Sequence, residues 1–332
     1  MHTHKSRVSK TLACELLIAS CVDDGGIYKY ELYSDGELVQ GEKFPMPSPM
    51  FMQIEGDKLW ATLRAPFADS KNSAVAAYDK ESGKRMTEYI STLGEVACHL
   101  AVDGEDAYCA NYVTGNIFAT PDIVRTHEGH GPNPERQERA HVHCAFFSPD
   151  KKYVLCCDLG IDKIFVYDRR LNKISETSVP AGEGPRHLCF SKDGRYVYCL
   201  TEMGASICTY AYDDGKLSFI SQTDVKPQSF NGQGKGSAIV LSADGKRLYA
   251  VERGSETVAL FDVDGEKLTL VCHCDVHGRE PRDFMLVADE SFAICCNQFS
   301  DDIAVFKVGE NGVLFYINNF PLPTPICVIK NT

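Results

Sequence analysis

The stretch "GEGPRHLCFSKDGRYVYCLTE", residues 182 to 202, places two apolar runs on either side of Asp193-Gly194. Leu188 and Phe190 precede the turn, and Val197 and Leu200 follow it. Two such runs around Asp-Gly predict a β-hairpin. Arg186 and Glu202 are equidistant from Gly194, so the simplest register sets them side by side at one end. Solvated strand ends carry charge routinely, so the pair gains meaning only from what else reaches the same place.

The hairpin recurs. "FSKDGRYVYCLTE" (190 to 202) repeats as "FSPDKKYVLCCDL" (147 to 159), "LSADGKRLYAVER" (241 to 253) and "LVADESFAICCNQ" (286 to 298). "LAVDGEDAYCANY" (100 to 112) and a weaker "QIEGDKLWATLR" (53 to 64) precede them. Most copies continue into a third strand such as "KIFVYD" or "TVALFDV", and they recur every 43 to 51 residues, the period of four-stranded propeller blades. A seventh copy is split. "LLIASC" and "GIYKYEL" near the amino terminus lack an inner strand, and "PTPICVIK" at the carboxyl end supplies one. Sharing a blade between the ends closes a ring and removes open sheet edges. The expected fold is all-β: a seven-bladed β-propeller of four-stranded antiparallel blades over residues 1–332, one domain, with 324 to 330 completing the blade begun near 12 to 38.

Composition narrows the function. An apolar content of 44% supports a sizeable core, and a net charge of −12 argues against nucleic acid or an anionic membrane surface as partner. No apolar run reaches membrane-spanning length, and "MHTHKSRVSK" lacks the features of a signal peptide, so a cytoplasmic location is expected. The fifteen cysteines fall mostly inside strand-like runs and include no CxxC, which suits a reducing compartment. "VCHCDVHG" (Cys272, His273, Cys274, His277) matches no zinc spacing, and "HEGHG" (127 to 131) is one residue short of HExxH. Neither metal nor organic cofactor is expected. An anionic small molecule would need a local basic pocket.

Repeats separate structure from function. Every copy needs strands and a turn; what differs at equivalent slots is free for chemistry. The leading slot, at the start of the inner strand, holds Ser48, Val96, His143, Arg186, Ser237 and Arg282. The trailing slot, after the second strand, holds Arg64, Tyr112, Leu159, Glu202, Arg253 and Gln298. In a propeller these slots ring one mouth of the central channel. The insertion "VRTHEGHGPNPERQERAHV", ending beside His143, is long for a blade connection and is expected to wall that mouth.

At these residues the chain resembles the seven-bladed propeller lactonases, a family that includes bacterial 6-phosphogluconolactonases and fungal carboxymuconate cyclases. "HGPNPERQERAHVHCAFFSPD", "GEGPRHLCFSKDGRYVY", "SADGKRLYAVERGSETVALF" and "EPRDF" through "CCNQFSDDIAVF" carry the resemblance over nearly the whole chain. It implies a catalytic set of His143, Arg186, Glu202 and Arg282, the four that the slot comparison also singles out; Arg253 and Gln298 from the slots, with His141 and Arg136 from the insertion, are the substrate-binding candidates. It implies a small anionic sugar lactone as substrate, 6-phospho-D-glucono-1,5-lactone first among them. Arg186 and Arg282 are expected to meet the substrate anion and developing oxyanion. Glu202 or His143 would be the general base, with Glu202 preferred because Arg186 beside it keeps it ionised. A muconate-type cyclase and a non-catalytic interaction scaffold are the alternatives. The chain departs from many relatives at Thr201 and Glu252, where Asn is common, and lacks an Asp often found near Ser237.

Overall fold

The computed structural model describes residues 10–64 and 71–331. The first nine residues of the stretch examined for a signal peptide lie outside these. Among the described residues are seven four-stranded antiparallel sheets arranged as blades. Their inner strands are Pro49–Glu55 (blade 1), Ala97–Asp103 (blade 2), Val142–Phe147 (blade 3), Pro185–Phe190 (blade 4), Gly236–Leu241 (blade 5) and Pro281–Val287 (blade 6). Blade 7 is the split copy: Pro325–Lys330 pairs antiparallel with Leu12–Ser20, which continues into Gly26–Tyr33 and Leu38–Pro45. The ring is closed by the two ends of the chain, and the closing strand buries Ile326, Cys327 and Val328.

The repeated hairpin turn has a local cause. Ser148, Ser191 and Ser242 each donate from the hydroxyl to an aspartate two residues on, Asp150, Asp193 and Asp244, at 2.6, 2.7 and 2.6 Å. Each hydroxyl also accepts the main-chain N–H that opens the next strand, from Tyr153, Tyr196 and Arg247. The Ser-x-Asp turn thus satisfies its own polar groups while the flanking apolar residues pack between blades.

The register corrects the simple hairpin. Pro185 lies opposite Thr201 but His187 lies opposite Leu200, so Arg186 is the extra residue of a β-bulge and does not face Glu202. The Glu202 N–H donates instead to Gly184 O at 2.7 Å. The same irregularity occurs in every blade, and its extra residues are Met50, Cys98, His143, Arg186, Ser237, Arg282 and Ile326. A bulge re-aims a side chain without breaking the sheet. Here it turns one residue per blade toward the channel. The leading slots of blades 1 and 2 are therefore Met50 and Cys98, not Ser48 and Val96. Ser48 and Val96 lie two residues before the bulge, a position with left-handed backbone there and at Gly184, Glu280 and Thr324. At Gly184 a side chain would also press on Leu159, with a Cβ only 3.0 Å from its Cγ, so glycine fits on both counts.

Just before the trailing slots of blades 2 to 6 sits a buried polar anchor for the adjoining loop: Asn111, Asp158, Thr201, Glu252 and Asn297. Asn111 donates to Thr92 O, and Asp158 accepts from the N–H groups of His141 and Gly160. This explains the two departures noted above. Thr201 is too short to anchor alone and shares Glu183 with Ser206, the carboxylate accepting at 2.8 and 2.7 Å. Glu252 spans its loop directly, accepting from the N–H groups of Lys235, Gly254 and Ser255.

Candidate active site at the channel mouth

The bulge and trailing residues meet in a cavity of about 350 Å³. Its wall includes Met50, Cys98, His143, Arg282 and Ile326 from the bulges, and Cys21, Arg64, Tyr112, Glu202, Arg253 and Gln298 from the trailing slots. Lys235 and Glu280 join from the position two residues before the bulge, and Arg136 comes from the insertion. Five cations thus line the space against two carboxylates, in a chain whose net charge is −12.

The carboxylate of Glu202 is the hub. Arg136 donates to its Oε1 at 2.5 Å, while Arg253 and Arg186 reach Oε2 at 3.0 and 3.1 Å. His143 Nε2 stands 3.7 Å from the same oxygen. Burial alone would raise the carboxyl's pKa, but the guanidinium charges of Arg253, Arg186 and Arg136 hold it well below the usual range. Arg253 also donates to Glu280 Oε1 at 2.9 Å, and Lys235 lies 3.6 Å from the other oxygen of Glu280. This chain of pairs crosses blades 4, 5 and 6.

His143 is 3% exposed, and its Nδ1 has no hydrogen-bond partner among the described residues. Burial and the nearby Arg186 charge hold its pKa well below 6.5, so the imidazole is neutral at physiological pH. Arg282 lines the cavity opposite; burial and Arg253 lower its pKa.

Two expected site residues stand back from the cavity. Arg186 lines the constriction beneath it, where it also donates to Ser237 O and faces His187 Nε2 at 3.2 Å. It holds Glu202 from behind. His141 stacks on Tyr112, with ring centroids 4.5 Å apart, and its nitrogens lie near Tyr112 O and the Glu138 carboxylate. It braces the wall. Below the mouth Phe51, His99 and His187 pack ring on ring and narrow the channel. The slot comparison did not single out Lys235, Glu280 or Cys98. The signal was present in "GKGS" and "EPR", but it needed the bulge register to show that two positions per blade face the mouth.

The insertion is a built wall. Its first residues form the outer strand of blade 2, Ile123–Thr126, so the loop proper runs from 127 to 141. His127 pins it, with Nδ1 2.6 Å from Asp158 Oδ2 and Nε2 2.7 Å from the Tyr167 hydroxyl. Gln137 donates to Leu159 O at 2.9 Å. The "HEGHG" run thus supplies an anchor: His127 is buried, and His130 is exposed beside Gly131 O. The residues of "VCHCDVHG" separate: Cys272 and Cys274 lie 3.8 Å apart on one strand face, His273 reaches Val225 O, and His277 stacks on Tyr316.

The profile of the family described as "Lactonase, 7-bladed beta-propeller" matches residues 15–330. A 6-phosphogluconolactonase of Bacillus subtilis is 29% identical over 327 residues, covering 91% of this chain and 93% of that protein. An uncharacterized protein of Staphylococcus epidermidis is 33% identical over 307 residues, covering 85% and 88%. Among solved structures, a periplasmic gluconolactonase of Pseudomonas aeruginosa superimposes with a TM-score of 0.88 at 26% identity, covering 96% of this chain and 98% of that one.

Proposed function

The chain belongs to the seven-bladed β-propeller lactonase family, and from that premise we propose that it hydrolyses an anionic sugar lactone, 6-phospho-D-glucono-1,5-lactone foremost. One observation carries the reading: a cavity whose charged residues are mostly cations, in an acidic protein, encloses a neutral buried imidazole beside an ionised carboxylate. The cavity volume is within the usual range for small-molecule sites. A protein-binding scaffold would not need this cluster.

The geometry favours roles different from those the sequence suggested. Glu202 is ionised but held by three guanidinium groups, which makes it a poor proton acceptor. His143 is neutral and lines the cavity, so it takes the proton of the attacking water. Water oxygen bonds to the lactone carbonyl carbon, and the carbonyl becomes an oxyanion held by Arg282 and Gln298. The ring C–O bond then breaks, and the imidazolium returns its proton to the departing ring oxygen. Glu202 stabilises that imidazolium while it lasts, and Arg186 keeps Glu202 in place. Arg136, Arg253 and Lys235 supply positive charge for the substrate's phosphate.

The test is a panel of lactones offered to purified protein, with rates read above spontaneous hydrolysis and an unsaturated diacid included for the cyclase alternative. The reading requires fastest turnover on the phosphorylated lactone and none on the diacid.

A further inference from the structure

We propose that Arg136 makes the substrate's own anion a requirement for efficient turnover: it neutralises Glu202 in the empty site and is drawn off by the phosphate of the bound lactone. This rests on the lactonase reading above.

The three guanidinium groups on Glu202 are not equivalent. The Arg186 and Arg253 side chains are 3% and 5% exposed, and both are tied to main-chain oxygens: Arg186 to Ser237 O, and Arg253 to Gly236 O and Lys235 O. Neither can leave without disturbing the ring. The Arg136 side chain is 37% exposed and reaches Glu202 from the insertion, with the Tyr112 hydroxyl at 3.2 Å as its other contact. Its backbone is fixed, because Asn133 Oδ1 accepts from the N–H groups of Glu135 and Arg136 and Gln137 is bonded to Leu159 O. Only the side chain needs to swing. It already lines the cavity that the lactone would fill.

The consequence falls on His143. Glu202 is faced by Arg186 from blade 4, Arg253 from blade 5, Arg136 from the insertion and His143 from blade 3; Arg282 of blade 6 adds to the field, with Glu280 beyond Arg253 and Tyr112 beyond Arg136. With Arg136 in place the carboxylate's charge is fully opposed. When a phosphate takes Arg136, part of that charge becomes available to an imidazolium at His143. The exchange itself breaks no covalent bond: the Arg136–carboxylate pair is replaced by an Arg136–phosphate pair. The imidazole then accepts the proton of water more readily and returns it to the ring oxygen as before. A neutral lactone cannot make the exchange and meets a weaker base.

The discriminating variant is Arg136→Gln. For D-glucono-1,5-lactone, which carries no charge, its kcat should rise by up to about tenfold, the size of a one-unit change in base strength. For the phosphorylated lactone kcat/KM should fall by about 10- to 100-fold, the scale of one lost charge-assisted pair. Arg136→Lys keeps the charge and should restore much of the preference. A second readout needs no turnover: NMR titration of the His143 ring with and without inorganic phosphate. Phosphate should raise the His143 pKa in the wild type and leave it unmoved in Arg136→Gln. An Arg136 that merely braces the wall would slow both lactones alike in the variant, with no phosphate-dependent shift in the wild type. That result overturns the proposal. A wild type inactive on every lactone sinks the lactonase reading, and the titration still judges the exchange.

Discussion

The two halves of the mouth share one backbone and differ in chemistry. Blades 7, 1 and 2 fill the bulge with Ile326, Met50 and Cys98, whereas blades 3, 4, 5 and 6 fill it with His143, Arg186, Ser237 and Arg282. The bulge is therefore a property of the fold, and its occupant is a property of the site. The apolar half is not idle. Its bulge residues carry no charge, although Arg64 from the trailing slot of blade 1 also lines the cavity. The two halves are joined through the closing strand Pro325–Lys330, whose Val328 N–H donates to Asp283 Oδ2 of blade 6 at 2.8 Å.

The largest effect should come from breaking that joint. Deleting residues 322 to 332 removes Ile326 from the apolar half and exposes the edge of Leu12–Ser20 to other chains. The outcome expected is loss of cooperative unfolding and aggregation on purification. An unchanged thermal midpoint would contradict the closure.

Within the charged half, His143→Gln should lower kcat by about 10²- to 10⁴-fold, the usual worth of a positioned base, with little change in thermal midpoint. Glu202→Gln should lose activity on the same scale and stability as well. Its loss leaves Arg186 and Arg253 buried without their shared counter-ion, and breaking a buried pair costs about 3–5 kcal/mol. Calorimetry beside kinetics separates the two residues. Equal midpoints for the two variants would mean that Glu202 does not hold the ring of guanidiniums together.

A smaller effect is expected at Asp283, which is open only to the narrow channel and whose pKa burial raises to about 6 from 3.8. The fold favours its protonated form. Its contribution to stability is therefore greatest below about pH 4 and declines as pH rises to about 6. Above that, the buried charge costs up to about 3 kcal/mol, less whatever channel water restores. Asp283→Asn can still accept from Val328 N–H, so it should raise the thermal midpoint above pH 6, with the gain vanishing near pH 4. An equal gain at both pH values would contradict burial of the charge as its cause.

The smallest effect belongs to the apolar half. Met50→Leu conserves volume and should cost less than about 1.5 kcal/mol. Its kcat/KM should stay within about threefold of wild type, measured on the phosphorylated lactone. A hundredfold loss there would mean that this half touches the reacting atoms.

The fold was readable from the hairpin "FSKDGRYVYCLTE" and its copies, because a period of turns and apolar runs is local information. The split copy showed where the ring closes. The bulge was not readable. Symmetry about Gly194 set Arg186 opposite Glu202, and only the pairing of Pro185 with Thr201 and His187 with Leu200 reveals the extra residue. That missing residue also hid Met50 and Cys98, the bulge positions of blades 1 and 2, although Val96 lines the cavity as expected. The charges of His143, Arg186, Glu202 and Arg282 were visible as departures among repeats. Their division of labour was not, because it depends on which guanidinium each carboxylate oxygen faces. Sequence alone left the base open between Glu202 and His143 and leaned to Glu202; the proposed mechanism takes His143 because three arginines hold the Glu202 carboxylate.

The central claim is that the charged half hydrolyses an anionic lactone through His143. The most direct measurement is the initial rate on 6-phospho-D-glucono-1,5-lactone for wild type and His143→Gln, each corrected for spontaneous hydrolysis. A wild-type rate far above background is expected, with a fall of about 10²- to 10⁴-fold in kcat for the variant and KM little changed. A wild-type rate equal to background, or a variant as fast as the wild type, would contradict it.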